Sequence, residues 1–583
     1  MVCMARSALF CLLALLPSIA LAQGAAPEEL LRTTCEPGNR GGTLVIAQRS
    51  EPRTFNPIMA IDQNSQGVNA RMMADLVHIN RATQKTEPAL AKSWTISKDG
   101  TQITVKLRRG LRFSDGAPFD ADDVLFSFKV YLDEKVRSPQ RDLLIIGGKP
   151  MAVQKLDAYT VRFTFPAPYA PAERVFDSVA ILPRHLLKKD YEEGKISQSW
   201  GLNTPPEKIA GLGAFRLKQV VPGERIVLER NPYYWKIDSK GQRLPYLDDL
   251  AFVAVPSQDG QVMRFEAGES QIISSLSADN FTALESEQKK RHFQLYDIGP
   301  GLEYNFLMFN LNDDTKGRYP EIERKQKWFR DVRFRQAIST AIDRQGIVRL
   351  IYHNRATALA THENPGDKQW VNAAIPAPMH SLSKARELLK TAGFSWKSDG
   401  TLVDSTGQPV EFSILVSSSN SQRTQIATLV QDDLKQIGIA AHVVTMEARS
   451  VNDRVLNSHD YEAIVMGMVK GDADPTPDNN LLMSNGATHL WNMGEKTPAT
   501  PWEAEIDRLM QKQMVTLNYP QRKKIYDQVQ EILAQQLPMV YLVSPNILVG
   551  AQQDLGNFRP AIIEQYTFWN AEELFWHTPA GKH

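Results

Sequence analysis

"EPALAKSWTISKDGTQITVKLRRGLRFSDGAPFDADDVLFSF", residues 87–128, changes its periodicity once, and that change decides the fold. Ile103, Val105 and Leu107 alternate with polar neighbours, the two-residue period of a strand with one buried face. Gly110 and Gly116 supply turns. Beyond them Asp120 predicts a helix N-cap, with Asp123 at the third helical position as a capping-box variant. Val124, Phe128 and Tyr131 then recur on one helical face.

The same texture extends outward on both sides. "GGTLVIA" (41–47) reads as a first buried strand, "KLDAYTVRFTF" (155–165) alternates through Val161, Phe163 and Phe165, and "RIVLERNPYYW" (225–235) is a strand closed by a proline turn. "EYNFLMFNL" (303–311) is mostly apolar and suits a strand crossing between domains. After Asn310 helices alternate with strands. Ala337, Ile338, Ala341 and Ile342 follow the cap Asp331 at helical spacing, and Ala385, Leu388, Leu389 and Ala392 form a stripe that stops at Gly393. A further stripe, Ile426, Leu429, Val430, Leu434 and Ile437, lies between "VEFSILVSS" (410–418) and the strands "IAAHVVTM" (439–446) and "YEAIVMGMV" (461–469). This alternation predicts a mainly parallel sheet. "RKKIYDQVQEILAQQLPMVYLVSP" (522–545) is a helix that turns into a strand at Pro538. No internal repeat, coiled coil or low-complexity tract interrupts the chain.

At 583 residues the chain exceeds what one hydrophobic core serves. Its 67 Lys+Arg against 66 Asp+Glu give no reason to expect nucleic acid as a partner. "MVCMARSALFCLLALLPSIALAQG" (1–24) places Arg6 before an apolar run too short to span a bilayer, and "ALA" ends at Ala22. This predicts a signal peptide (1–22) cleaved after Ala22, with export to the periplasm. Cys3 and Cys11 leave with it, so Cys35 remains alone and no internal disulfide can form. Residues 23–40, rich in Gly, Pro and charge, read as a flexible leader.

Enzyme signatures are missing. There is no G-x-S-x-G, G-x-x-x-x-G-K-[ST], H-E-x-x-H or C-x-x-C, and Pro365 breaks the helix that His362-Glu363 would need. The eleven histidines show no metal spacing, so neither metal nor cofactor is expected. "GDADPTPDN" (471–479) raises a separate question, because Asp472, Asp474 and Asp478 stand close together in a proline-stiffened loop. An EF-hand needs glycine at the sixth position and a bidentate glutamate at the twelfth; Pro477 and Met483 stand there. A solvated acidic turn or a receptor for a cationic ligand remain.

Several segments in this order resemble one family, the extracytoplasmic solute-binding proteins of ABC importers in the peptide/nickel class (family 5), including dipeptide- and oligopeptide-binding proteins. "GGTLVIAQRSEPRTFNP" (41–57) resembles its opening strand and E-P-x-x-x-N-P turn, and residues 87–128 its most specific block. "GLGAFRL" (211–217), "ERNPYYW" (229–235) and "LPYLDDLAF" (244–252) are similar to its central markers, and residues 331–348 and 384–394 to its second-lobe helices. The resemblance implies an α/β protein of the two-lobed periplasmic-binding type (type II-like), with mixed sheets joined by two hinge strands. Lobe I would comprise 41–69, 205–298 and 520–583, with an inserted subdomain at 70–204; lobe II would cover 299–519. It also implies a monomer that captures a small solute or peptide between its lobes and delivers it to an ABC permease in the inner membrane.

Peptide binders of this family offer an Asp to the peptide amine from a W-x-x-D segment before D-P. Aligned on Asp474-Pro475, Met468 takes the Trp position and Gly471 the Asp position, with Asp472 adjacent. The departure leaves peptide, nickel chelate, opine and oligosaccharide open as ligands. Position adds Arg53, Phe55 and Asn56 after the first strand, where ligands of open α/β sheets collect. Tyr304 and Asn305 on the crossing strand, and Trp491 as a cleft cover or a buried structural residue, complete the candidates. An exported hydrolase using Asp472 and Asp474 as an acid/base pair is the alternative from another class, and a sensor role would share the same sequence.

Overall fold

The computed structural model describes residues 27–177 and 179–578; the segment 1–22 read as a signal peptide and its junction after Ala22 lie outside them. Two hydrophobic cores define two lobes. The first gathers residues from Cys35 to Phe252 together with Ala551–Phe575 side chains, and the second runs from Tyr304 to Val543. Between them runs one 12-stranded sheet.

The sheet owes its continuity to the strand Met539–Gln552. Its first half pairs antiparallel with Glu303–Phe309 and Ala356–Ala358, and its second half with Phe293–Pro300 and Ile272–Ile273. Strand Ile272–Ile273 continues the ladder in parallel to the opening strand Thr43–Gln48, which pairs with Asp249–Ala254. The chain therefore passes between the lobes twice, along Met539–Gln552 and through the turn from Phe293–Pro300 into Glu303–Phe309. In the second lobe Ala440–Met446, Glu411–Ser417 and Ala463–Val469 are parallel, but Glu303–Phe309 joins them antiparallel. The sheet there is mixed rather than mainly parallel: Glu303–Phe309, which brings the chain in from the first lobe, runs against the other strands, and Met539–Gln552, which carries it back, runs with them.

Local chemistry follows the sequence closely. Ile103, Val105, Leu107, Val161 and Phe163 point into the core of a separate four-stranded antiparallel sheet. Helix Ala121–Leu132 starts with both arms of the capping box, Asp120 accepting from the helix and Asp123 from the Asp120 N–H. This small sheet has no core of its own and shares the first lobe's. Asp331 caps Val332–Ala341, and Asp343 caps the helix Arg344–Ile351. Asn310 ties the strand end to His459 and Tyr461 carbonyls.

The leader is packed, not loose, from residue 29 onward. Leu31–Arg32 pairs with Lys236–Ile237, and Cys35 is buried beside Thr33 and Tyr246. Its apolar and small residues find a groove that composition alone does not reveal. Among the described residues no helix is long and apolar enough to cross a membrane.

Candidate ligand-binding cleft

A cavity of about 420 Å³ opens between the lobes. Most of its wall is first-lobe, and Gly471 and Asp472 reach it from the second. Helix Gln63–Met72, capped at its start by Asp62, brings Asn69 and Arg71 to the wall in its last turn. A cation there complements the partial negative charge of the helix end. Two glycines of the "GLGAFRL" segment make this placement possible. A Cβ on Gly211 would stand 2.0 Å from the Met72 carbonyl oxygen, and one on Gly213 2.4 Å from that of Arg71.

The charges lining the cavity mostly pair off. Arg81 meets Asp177 at 2.9 Å with His78 at 3.4 Å, and Lys236 meets Glu572 at 2.6 Å. Burial opposes ionisation of Glu572, but Lys236, and then Arg71, hold its carboxyl down at about 2. Asp75 is pushed up by burial and by the Asp177 charge. Arg71 is the exception. Its guanidinium reaches the Phe568 carbonyl and Gln565 Oε1, both neutral, and lies over the Phe568 ring at 5.5 Å. Burial pushes its pKa down to about 10, which still leaves it charged at neutral pH. Arg71 Nε and both amide atoms of Asn69 are buried with no hydrogen-bond partner in the protein. Buried polar atoms of this kind are usually satisfied by protein groups or ordered water.

The acidic loop has its cations built in. Asp472 receives Arg174 from the first lobe in a two-pronged contact, with Nε to Oδ2 at 2.8 Å. Asp474 is buried in a bidentate pair with Arg522, at 2.7 and 2.8 Å, and the same guanidinium stacks over Trp370. Asp478 faces Lys470 at 3.3 Å and accepts from Tyr526. Lys470 also reaches Glu363 and Asp367, and Tyr526 bonds His362 at 2.8 Å. Burial raises the Asp367 carboxyl and the Glu363 charge adds to it, while Lys470 opposes both. Neither a solvated turn nor a free receptor describes this loop.

Of the nine residues singled out from sequence, Asp472 lines the cavity and the other eight lie outside its wall. Arg53 is exposed; Phe55 is fully buried in the first core. Asn56 spends its amide on the Ile196 carbonyl and the Ile58 N–H. Tyr304 is buried, its hydroxyl 3.6 Å from the Met468 sulfur. Asn305 accepts from Arg423 at 2.9 Å. Asp474 is consumed by Arg522, and the fully buried Trp491 donates to Glu503 at 3.0 Å rather than covering the cleft. Sequence reasoning passed over Asn69, Arg71 and Arg174; the polar helix "QNSQGVNARM" carries no apolar stripe to draw attention.

The fold and the cleft define a class: the chain belongs to the bacterial extracellular solute-binding proteins of family 5, whose pattern matches residues 85–489. It is 27% identical over 541 residues to a probable ABC transporter-binding protein of Deinococcus radiodurans, covering 88% of this chain and 89% of that one. Its fold is that of the oligopeptide-binding protein AppA of Bacillus subtilis in complex with a nonapeptide (TM-score 0.70, 23% identity, 93% of this chain and 100% of the other). NikA of Brucella suis in complex with Fe(III)-EDTA shares it too (TM-score 0.75, 21% identity, 92% and 100%).

Two outcomes follow from the loop chemistry. Replacing Arg522 by Ala strands the Asp474 carboxylate in the interior and should destabilise the protein by roughly 3–5 kcal/mol in denaturant titrations. Despite burial, Lys470 and His362 hold Asp478 down to about 2 against 3.8 for a free side chain. Its contribution is therefore present above pH 3.8 and lost as the pH falls through about 2. Asp478→Asn should flatten the dependence of the melting temperature on pH across that window, as thermal melts in acid buffers will read.

Proposed function

We propose that this chain is the extracytoplasmic binding component of an ABC importer. It captures a small peptide or peptide-like acid between its lobes and hands it, unaltered, to a membrane permease. One observation carries the reading: the wall of a cavity between two lobes carries Arg71, a cation that touches no carboxylate, beside Asn69. A ligand carboxylate finds its countercharge at Arg71. The volume of about 420 Å³ suits a short ligand rather than a long chain.

The ligand's anchor is its acidic end. Asp472, the residue beside the expected amine receptor, is occupied by Arg174, so a free amine would have to displace a guanidinium to reach it. That same observation favours a second reading in which the solute is a non-peptide acid, such as an opine or a metal chelate with carboxylates. Mass spectrometry of material released from the purified protein separates the two. Arg71→Ala should weaken the extracted ligand by at least about 100-fold in calorimetry, the scale of a lost charge-assisted contact. Undiminished affinity in that variant, with an unchanged melting temperature, would remove Arg71 as the anchor.

A further inference from the structure

Two clusters in the second lobe bring histidine and carboxylates together: His362, Glu363 and Asp478, and His489, Glu495 and Glu503. The first already contains a cation, because the Lys470 ammonium sits among its carboxylates. The second contains none. Among the described residues its glutamates face no lysine or arginine within ion-pair distance, only His489.

The geometry of the second cluster is specific. His489 is fully buried, and its Nδ1 lies 3.0 Å from the Leu481 carbonyl, a contact that places the ring proton on Nδ1. The Nε2 faces Glu495 Oε2 at 3.2 Å and Glu503 Oε1 at 3.8 Å. Nε2 and both Glu495 oxygens are buried without a hydrogen bond of acceptable geometry. Glu503 is held in place from two sides, by Thr500 at 2.7 Å on Oε2 and by Trp491 at 3.0 Å on Oε1. A histidine whose second nitrogen donates to a backbone carbonyl, beside oriented carboxylates, is the usual surrounding of a metal ligand. Bonds of roughly 2.0–2.1 Å in a tetrahedron set donor atoms about 3.3 Å apart, near the spacing seen here.

We propose that His489 Nε2, Glu495 and Glu503 form a structural site for a divalent transition cation, with Zn²⁺ as the ion that best suits one imidazole and two carboxylates. A water completes the fourth position. The ion ties the exposed turn at 494–499, which carries Glu495, to the start of helix Pro501–Val515, which carries Glu503. Through His489 it also ties both to the helical turn Asn479–Leu482 directly after the acidic loop. Opening the turn gives the ion its way in. This site is separate from the cleft, and none of its ligands lines the cavity.

The test uses the mature protein stripped with a chelator and titrated with ZnCl₂, read by calorimetry, elemental analysis and thermal melting. The expected result is one equivalent of Zn²⁺ with a rise of several degrees in melting temperature. Glu495→Gln, which keeps shape and size, should abolish both, as should His489→Gln. His442→Gln, at an exposed strand position, should leave them intact. The metal-free melting temperature of each variant shows independently that it is folded. Absence of stoichiometric Zn²⁺ in the wild type, or an equal shift in Glu495→Gln, overturns the proposal. A Ca²⁺ shift that matches or exceeds that of Zn²⁺ does so too, because an imidazole ligand disfavours the harder ion.

Discussion

One strand constrains everything else. Met539–Gln552 is hydrogen-bonded along its first half to the second lobe and along its second half to the first, so neither sheet is complete without it. A strand shared in this way cannot slide, since a slip of one residue would exchange the two buried faces along both halves and disturb the packing of both lobes. It can twist. With the turn after Phe293–Pro300 as the only neighbouring crossing among the described residues, relative motion of the lobes reduces to bending about this pair of connections.

At the far side the lobes also meet through polar contacts. Arg174 meets Asp472, the Ala170 N–H donates to the Met514 carbonyl at 2.7 Å, and Gln84 donates to the Gly366 carbonyl at 2.9 Å. Contacts of this kind contribute little net stability each when water can replace them. They suit a closure that must reverse. The buried pairs behind them serve a different purpose: Asp474 with Arg522, and Lys470 with its three carboxylates, fix the shape of the loop that carries Asp472 to the cleft. A ligand that adds contacts to both lobes then shifts the balance by its preference for the closed form.

The lobes' elements were legible wherever period and capping spoke together. Ile103, Val105 and Leu107 are buried as their alternation requires, and Asp120 and Asp123 close the capping box they predict. The class was legible from ordered motifs. The cleft wall was not, for a physical reason: Arg71 acquires its meaning from Phe568 and Gln565, and Asp472 from Arg174, partners hundreds of positions away in the chain. The acidic loop looked available because its three cations, Arg174, Arg522 and Lys470, carry no motif that marks them as its partners. His489, Glu495 and Glu503 escaped notice likewise, since their spacing fits no metal signature. Trp491 drew attention by its size and proved to be a core residue that orients a carboxylate.

The central claim is that two bodies flex about the shared strand and that Arg174 on Asp472 helps to hold them shut. Solution X-ray scattering of the ligand-free protein and of Arg174→Ala tests it directly, each with and without the ligand extracted from the wild type. The account predicts a larger radius of gyration for the ligand-free variant and a return to the wild-type value when ligand is added. Superimposable curves for all four samples would contradict it.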